Sequence, residues 1–386
     1  MGGGKVASIV YWSLGAWWLA ATLIYVGTIL LPRRHPRYVA LAKAPKVSVI
    51  VPVKGIHAEL ADNFDALFRQ SYADFEILFV VADSCDPAIA LIEAAIVRHS
   101  GIPARLLIGD DKVSGNPKVN NLAKAEHKAQ HELLMMCDAG VKIQPDMLSR
   151  MVARLDPTVG LISTIPVAVR PGNFVGELEC AMYNGFGARM LIAADFVGIV
   201  ATLGIIMLLR KRDLARIGGI PAMGLGLCED SVLGAAIRAV GLDTIVMDWP
   251  AIYPVGCRRF SDFWDRHLRW HCCRRYHNKA SFIAEPFGCA AGATLAGGIF
   301  WNHVVAAHTT TVIFIFLAGW FALEALYLKR KDWPFSWRSP AAWIARELLL
   351  PVLWLQACVT RSLNWHGNRL NISDYRRSST AALDRT

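Results

Sequence analysis

The sequence is poor in charge, and it has no cysteine pattern that would build a metal site or a disulfide framework. Lys, Arg, Asp and Glu make up 19% of the 386 residues, against 54% apolar side chains and a mean hydropathy of +0.35. Soluble domains usually carry more charge, so membrane contact is the first expectation. Nine cysteines are scattered along the chain. Their number is odd and no C-x-x-C pair occurs, which argues against a disulfide scaffold and for reduced thiols facing the cytosol. His271, Cys272, Cys273 and His277 have the chemistry of metal ligands. Adjacent cysteines on a helix cannot both face one ion, however, and no second C-x-x-C arm exists. The net charge of +10 comes without zinc-finger spacing or a base-stacking motif. That excludes nucleic acid as the expected partner and suits a face beside anionic headgroups. Paired hydrophobic halves, the mark of many transporters, are absent too.

What the sequence does have is long apolar runs. Residues 9–31 are apolar or small and long enough to cross a hydrocarbon layer of about 30 Å. Leu30-Leu31-Pro32-Arg33-Arg34 follows in place of a small-residue cleavage site, which disfavours a signal peptide. Arg33, Arg34, Arg37, Lys43 and Lys46 come after this run and Lys5 alone before it. The positive-inside rule then places the following domain in the cytoplasm. Residues 287–306 and 309–328 are two more apolar stretches, joined by a link without Lys or Arg and closed by Lys329, Arg330 and Lys331. They read as a membrane hairpin. Residues 340–360 carry Arg346 and Glu347 near the middle, which is costly in lipid, so this stretch is expected to be interfacial or re-entrant, with a full span as the alternative. Residues 190–209 are apolar apart from Asp195 and are expected to pack inside the domain or against the membrane.

Between the runs, apolar segments alternate with amphipathic ones. Residues 46–54, 76–83, 105–108 and 132–138 read as strands; 63–71, 87–99 and 121–131 read as helices. The pattern predicts a doubly wound α/β sheet, in which ligands collect at the carboxyl ends of the strands. Asp83 and Asp138 fall at such ends, although an Asp after a strand also serves as a turn former or helix cap. Glu229 and Asp230 form an acidic pair behind Gly-Leu-Gly-Leu-Cys. Arg266 and Arg269, in R-H-L-R-W, share a helix face and can converge on one anion. The same stretch, with Trp264 and Trp270, also suits a basic interfacial helix.

With these residues in place the chain resembles the ceramide glucosyltransferase family, within the processive-type GT-A glycosyltransferases, as a bacterial-like member. That signature is three aspartates followed by (Q/R)-x-x-R-W. Here it is Asp83 in V-V-A-D-S, Asp138 in M-C-D-A-G-V, Asp230 in C-E-D-S and R-H-L-R-W at 266–270. V-P-V-K-G at 51–55, N-P-K-V-N-N-L at 116–122, L-L-R-K-R-D-L at 208–214, W-I-A-R-E at 343–347 and W-x-G-x-R at 365–369 extend it over nearly the whole chain. It departs at Gly185-Phe186-Gly187-Ala188, where the family usually has a histidine.

The resemblance implies a GT-A type doubly wound nucleotide-sugar-binding domain with transmembrane helices at both ends. The expected layout is an anchor at 1–32, a cytoplasmic catalytic domain at 33–285, a membrane hairpin at 286–328, and an interfacial helix with a cytoplasmic tail at 329–386. It further implies a UDP-sugar donor, Mg²⁺ or Mn²⁺ as cofactor, and ceramide as acceptor, with a hopanoid or diacylglycerol as the alternative. Asp138 is assigned to the metal and Asp83 to the uridine end, with Lys54 and Lys118 also on the donor side. Arg266 and Arg269 are assigned to the diphosphate, Trp270 to a sugar, and Asp230 to the base that deprotonates the acceptor hydroxyl.

Overall fold

The computed structural model describes residues 2–30, 44–57, 59–199, 202–365 and 368–372. The basic cluster Arg33, Arg34, Arg37 and Lys43, two positions of the W-x-G-x-R motif, and most of the tail lie outside them. In chain order the elements begin with α1 (Gly2–Leu30), β1 (Val47–Val53), α2 (Leu60–Phe68), β2 (Phe75–Val81), α3 (Ala88–Arg98), β3 (Ala104–Ile108), α4 (Pro117–Lys128) and β4 (Leu133–Cys137). Next come α5 (Met147–Val152), β5 (Val159–Pro171), α6 (Phe174–Cys180), a π-helix at Ala181–Ala188, α7 (Arg189–Phe196), β6 (Ile206–Arg210), α8 (Lys211–Arg216) and α9 (Gly219–Met223). The chain continues with α10 (Glu229–Ala239), β7 (Asp243–Gly256), α11 (Phe260–His277) and α12 (Lys279–Ala284). A short 3-10 turn at Glu285–Gly288 then leads to α13 (Ala290–Val305), α14 (Thr309–Arg330), α15 (Ser339–Val359), β8 (Ser362–Trp365) and β9 (Asn368–Asn371). Two compact units result: Met1–Pro32 with Pro171–Met190 and Cys257–Thr360, and Arg33–Arg170 with Leu191–Gly256 and Arg361–Thr386.

The second unit is built on a seven-stranded sheet in the order β3-β2-β1-β4-β6-β5-β7. Strands β3, β2, β1 and β4 run parallel, as the β/α alternation predicts. Strand β6 is antiparallel to β4 and to β5, so the sheet is mixed. The first strands read as unbroken apolar runs because both sheet faces are covered. Val49, Val51, Ile77, Phe79 and Met135 enter one core with Phe64 of α2 and Ile92 of α3. Their neighbours Ile50, Leu78, Val80 and Met136 enter the other, with Val119 and Leu122 of α4. In the ambiguous run at 190–209, Ile206 to Leu209 are fully buried in β6, and buried Asp195 of α7 accepts a hydrogen bond from the Val246 N–H at 3.0 Å. A sheet covered on both faces leaves its polar chemistry to the strand ends.

The first unit is helical. Helices Lys5–Leu30, Thr309–Arg330 and Ser339–Val359 are long and apolar enough to cross a membrane, and Lys279–Gly288 with Ala290–Val305 forms a further pair bent by 54°. The second apolar stretch therefore has a break where a straight helix over 287–306 is expected, and 339–359 meets the length and composition of a span. Large apolar side chains such as Ile9, Phe314, Leu348 and Val359 point outward, as lipid-facing side chains do. Close packing relies on small residues: a Cβ on Gly297 of α13 would lie 2.4 Å from the Trp18 ring of α1.

The charges in mid-α15 are satisfied by partners. Arg346 forms a two-pronged contact with Glu324 of α14, Nη1 to Oε1 at 2.6 Å and Nη2 to Oε2 at 2.8 Å. It also donates to Glu347 Oε1 at 2.9 Å and to the Ala181 carbonyl of the π-helix at 3.0 Å. Glu347 Oε2 in turn accepts the Ala290 N–H at the start of α13 at 2.7 Å. Gly185 is the residue that admits this cluster, since a Cβ there would lie 1.8 Å from Glu324 Oε1. Any side chain there would force the Glu324 carboxylate to shift from its Arg346 partner. Removing one member of a buried ion pair costs about 3–5 kcal/mol because the other charge is stranded. Arg346→Met is therefore expected to lower the thermal unfolding midpoint of the detergent-purified chain markedly; an unchanged midpoint would contradict the role given to this cluster.

Candidate active site

Three parallel neighbours, β2, β1 and β4, end side by side, and a chemistry-bearing residue follows each. Lys54 follows β1 and is exposed. Asp83 lies just beyond β2, also exposed, with Oδ1 accepting the Cys85 N–H at 2.9 Å. It thus forms a turn while keeping its outer face in solvent. Asp86 ties the two ends together by accepting the Gly55 N–H at 2.8 Å. Asp138 follows β4, and its backbone N–H donates to the Ile205 carbonyl at 2.8 Å.

Lys118 is placed by local chemistry. Asn116 caps α4 by accepting the Lys118 N–H at 2.9 Å, and Pro117 occupies the first helical position. The lysine in the first turn sends Nζ to Asp138 Oδ1 at 2.7 Å, Glu229 Oε1 at 3.0 Å and the Gly204 carbonyl at 2.7 Å. Burial works against its charge, but Asp138 and Glu229 outweigh it and hold the ammonium above the ordinary lysine range. Asn116 Nδ2 donates to the second Glu229 oxygen at 3.2 Å. Lys118, expected on the donor side, is thus held by two carboxylates and a carbonyl at the end of β4.

Asp230 sits beside Glu229 in the first turn of α10, where backbone N–H groups favour acids. Its Oδ2 accepts from Gly204 N–H at 2.8 Å and its Oδ1 from Ser231 N–H at 2.6 Å. Burial and the neighbouring Glu229 push its pKa up to about 6, against the opposing pull of Lys118 and those N–H groups. A carboxylate so tuned can take a proton near neutral pH. Asp138 keeps 36% of its side chain exposed, and hard carboxylate oxygen suits Mg²⁺ or Mn²⁺. Among the described residues no three His, Cys, Asp or Glu side chains gather around one point. Asp138 is thus a part-exposed carboxylate, a donor type that Mg²⁺ accepts beside phosphate and water oxygens.

Arg266, Arg269 and Trp270 belong to the helical unit, on α11. Arg266 Nη1 pairs with Glu179 Oε1 of α6 at 2.9 Å, and His267 Nε2 stands 3.4 Å from the other Glu179 oxygen. Burial disfavours the Glu179 charge, yet His267 and Arg266 more than compensate and hold its pKa below the ordinary value. Trp270 packs edge-on to Tyr183 and to His267, with centroids 5.1 Å away in both cases. Sequence reasoning missed Glu179, a helical acid without motif, and gave no role to Glu229 or Asn116. Glu229 had a signal, its place beside Asp230.

The mixed sheet with parallel strands β3-β2-β1-β4 and carboxylates at the strand ends has the fold of the GT-A type. A mannosyltransferase from Pyrobaculum calidifontis, solved with GDP-mannose and Mn²⁺, shares the fold at a TM-score of 0.53 and 17% identity, over 90% of this chain and 99% of that one. Residues 5–378 match the profile of glycosyl transferase family 21, and the chain belongs to that family. Its relatives include ceramide glucosyltransferase 3 of Caenorhabditis elegans, 24% identical over 348 residues, 88% of this chain and 76% of the relative. Ceramide glucosyltransferase of Komagataella phaffii is 32% identical over 163 residues, 40% of this chain and 31% of the relative. With Arg266 assigned to the donor diphosphate as the resemblance implies, Glu179→Gln is expected to loosen Arg266 and raise the donor KM at least tenfold with little change in unfolding temperature. Wild-type kinetics would reduce the pair to a packing contact.

Proposed function

We propose that the protein transfers a hexose, glucose or glucuronate, from a UDP-sugar to the primary hydroxyl of ceramide with inversion, giving a β-glycosylceramide at the cytoplasmic membrane face. The observation that carries the reading is Asp230. It is a half-buried carboxylate with raised proton affinity, fixed by two backbone N–H groups beside the Asp138–Lys118–Glu229 cluster at the strand ends. The ceramide glucosyltransferases among its relatives support the acceptor.

In this reading the leaving UDP gathers negative charge, which cations in the site stabilise. Asp138 would hold Mg²⁺ or Mn²⁺, and the ion would supply electrostatic stabilisation of the diphosphate. Lys118 adds its ammonium, and Asp83 and Lys54 bind the donor from the neighbouring strand ends. Arg266 and Arg269 neutralise phosphate, and Trp270 offers an apolar face to a sugar. Asp230 accepts the proton of the ceramide hydroxyl as the oxygen attacks the anomeric carbon. Direct displacement on an α-linked donor then yields the β-anomer.

The test is to incubate the purified chain with ceramide and UDP-glucose or UDP-glucuronate, then read lipid mass and anomeric configuration by mass spectrometry and NMR. A β-hexosylceramide or β-glucuronosylceramide is expected; product only on a hopanoid or diacylglycerol would overturn the acceptor assignment, and an α-product the mechanism. The raised pKa of Asp230 sets a further expectation. The base works ionised, so kcat should fall as pH drops through about 6, and Asp230→Asn should abolish transfer at every pH while UDP binding persists. Turnover retained by that variant would remove Asp230 from the base role.

A further inference from the structure

The link between α14 and α15 displays a combination that the transfer reaction does not use. Lys329, Arg330 and Lys331 end α14, Arg338 stands at the start of α15, and Asp332 is the one acid among them. Trp337 is 84% exposed and Phe335 48%, and the Arg338 guanidinium lies over the Trp337 ring at 5.1 Å. Basic residues at a helix C-terminus can be explained by the helix dipole alone, and a single exposed aromatic is ordinary. Here the aromatics are held outward by a built turn. Trp333 is buried edge-on against Tyr327 with centroids 5.6 Å apart. Ser336 Oγ donates to Glu177 of α6 at 2.8 Å and accepts the Arg338 N–H at 3.1 Å. The Ser336 N–H donates to Ser339 Oγ at 2.8 Å. The loop is pinned from beneath, so the exposure of Phe335 and Trp337 is not a consequence of looseness.

We propose that this link is an anchor for anionic phospholipid, with Lys329, Arg330, Lys331 and Arg338 meeting headgroup phosphates while Trp337 and Phe335 enter the interfacial layer. Two observations select a lipid surface as occupant. The link joins two helices that each have the length and composition of a membrane span, so it emerges where a bilayer surface would lie. Four cations with amphipathic aromatics also match an anionic headgroup region, in which tryptophan is favoured at the boundary and basic residues are attracted by the leaflet's charge. Through Ser336 and Glu177 the anchor is joined to α6, the helix whose Glu179 holds Arg266. The proposal stands apart from the identity of donor and acceptor.

The test uses the full chain. Native mass spectrometry of detergent-purified protein titrated with phosphatidylglycerol or phosphatidylcholine should show at least a tenfold preference for the anionic lipid. The quadruple variant Lys329→Gln, Arg330→Gln, Lys331→Gln and Arg338→Gln should bring that preference close to parity without altering the unfolding midpoint in detergent. A preserved preference would overturn the proposal. A second measurement decides even where that variant fails to fold. In phosphatidylglycerol nanodiscs brominated near the headgroup end of the acyl chain, the emission lost between wild type and Trp337→Phe should be quenched. Unquenched Trp337 emission would place the ring in water and sink the idea.

Discussion

Lys118 lies between two carboxylates, and much of the site follows from the electrostatics of that contact. Asp138 and Glu229 come from different elements, one at the end of β4 and the other at the start of α10. Left facing each other without a cation they would repel, and partial burial would amplify the repulsion. The ammonium between them removes that cost and also fixes the Gly204 carbonyl. Asp230, next to Glu229, has its proton affinity raised first by burial and then by the Glu229 charge, against the pull of Lys118. The contact thus positions the carboxylate of the metal candidate, and Lys118 tempers the basicity that burial and Glu229 give to the base candidate. One ammonium against two carboxylates leaves the cluster with net negative charge, so a diphosphate would be received there only together with a divalent cation.

The sheet explains why this chemistry sits where it does. Its central strands are buried on both faces by two separate cores. The few charges along them are therefore paired, as Glu76 of β2 is with Arg105 of β3, and the acids of the candidate site lie where the strands stop. The helical unit solves the same problem differently. Arg346, Glu324 and Glu347 are charged, yet each is buried with its partners supplied by neighbouring helices and by backbone groups. That arrangement explains why charges lie in the middle of an otherwise apolar helix.

Much of the site was legible because apolar runs and strand-end acids are local signals. The parallel half of the sheet followed from β/α alternation, and Asp83 and Asp138 followed from where the runs stop. The direction and partners of strand β6 were hidden, because the apolar run around Ile206 to Leu209 suits packing inside the domain or against the membrane equally well. The partners of charged residues were hidden as well. Glu179 and Arg266 are 87 positions apart in sequence and Glu324 and Arg346 are 22 apart, and no periodicity links such pairs. Gly185 illustrates the limit: in sequence it is one residue of a stretch that lacks the family's histidine, whereas in the fold it faces the Glu324 carboxylate.

The central claim is that the strand-end cluster receives a nucleotide diphosphate with the help of a divalent ion. Calorimetric titration of UDP into the purified chain, with and without Mn²⁺, tests it most directly when paired with Asp138→Ala. The account predicts that Mn²⁺ tightens UDP binding to the wild-type chain and that this gain disappears in the variant. Equal Mn²⁺-dependent affinity in both proteins would contradict it.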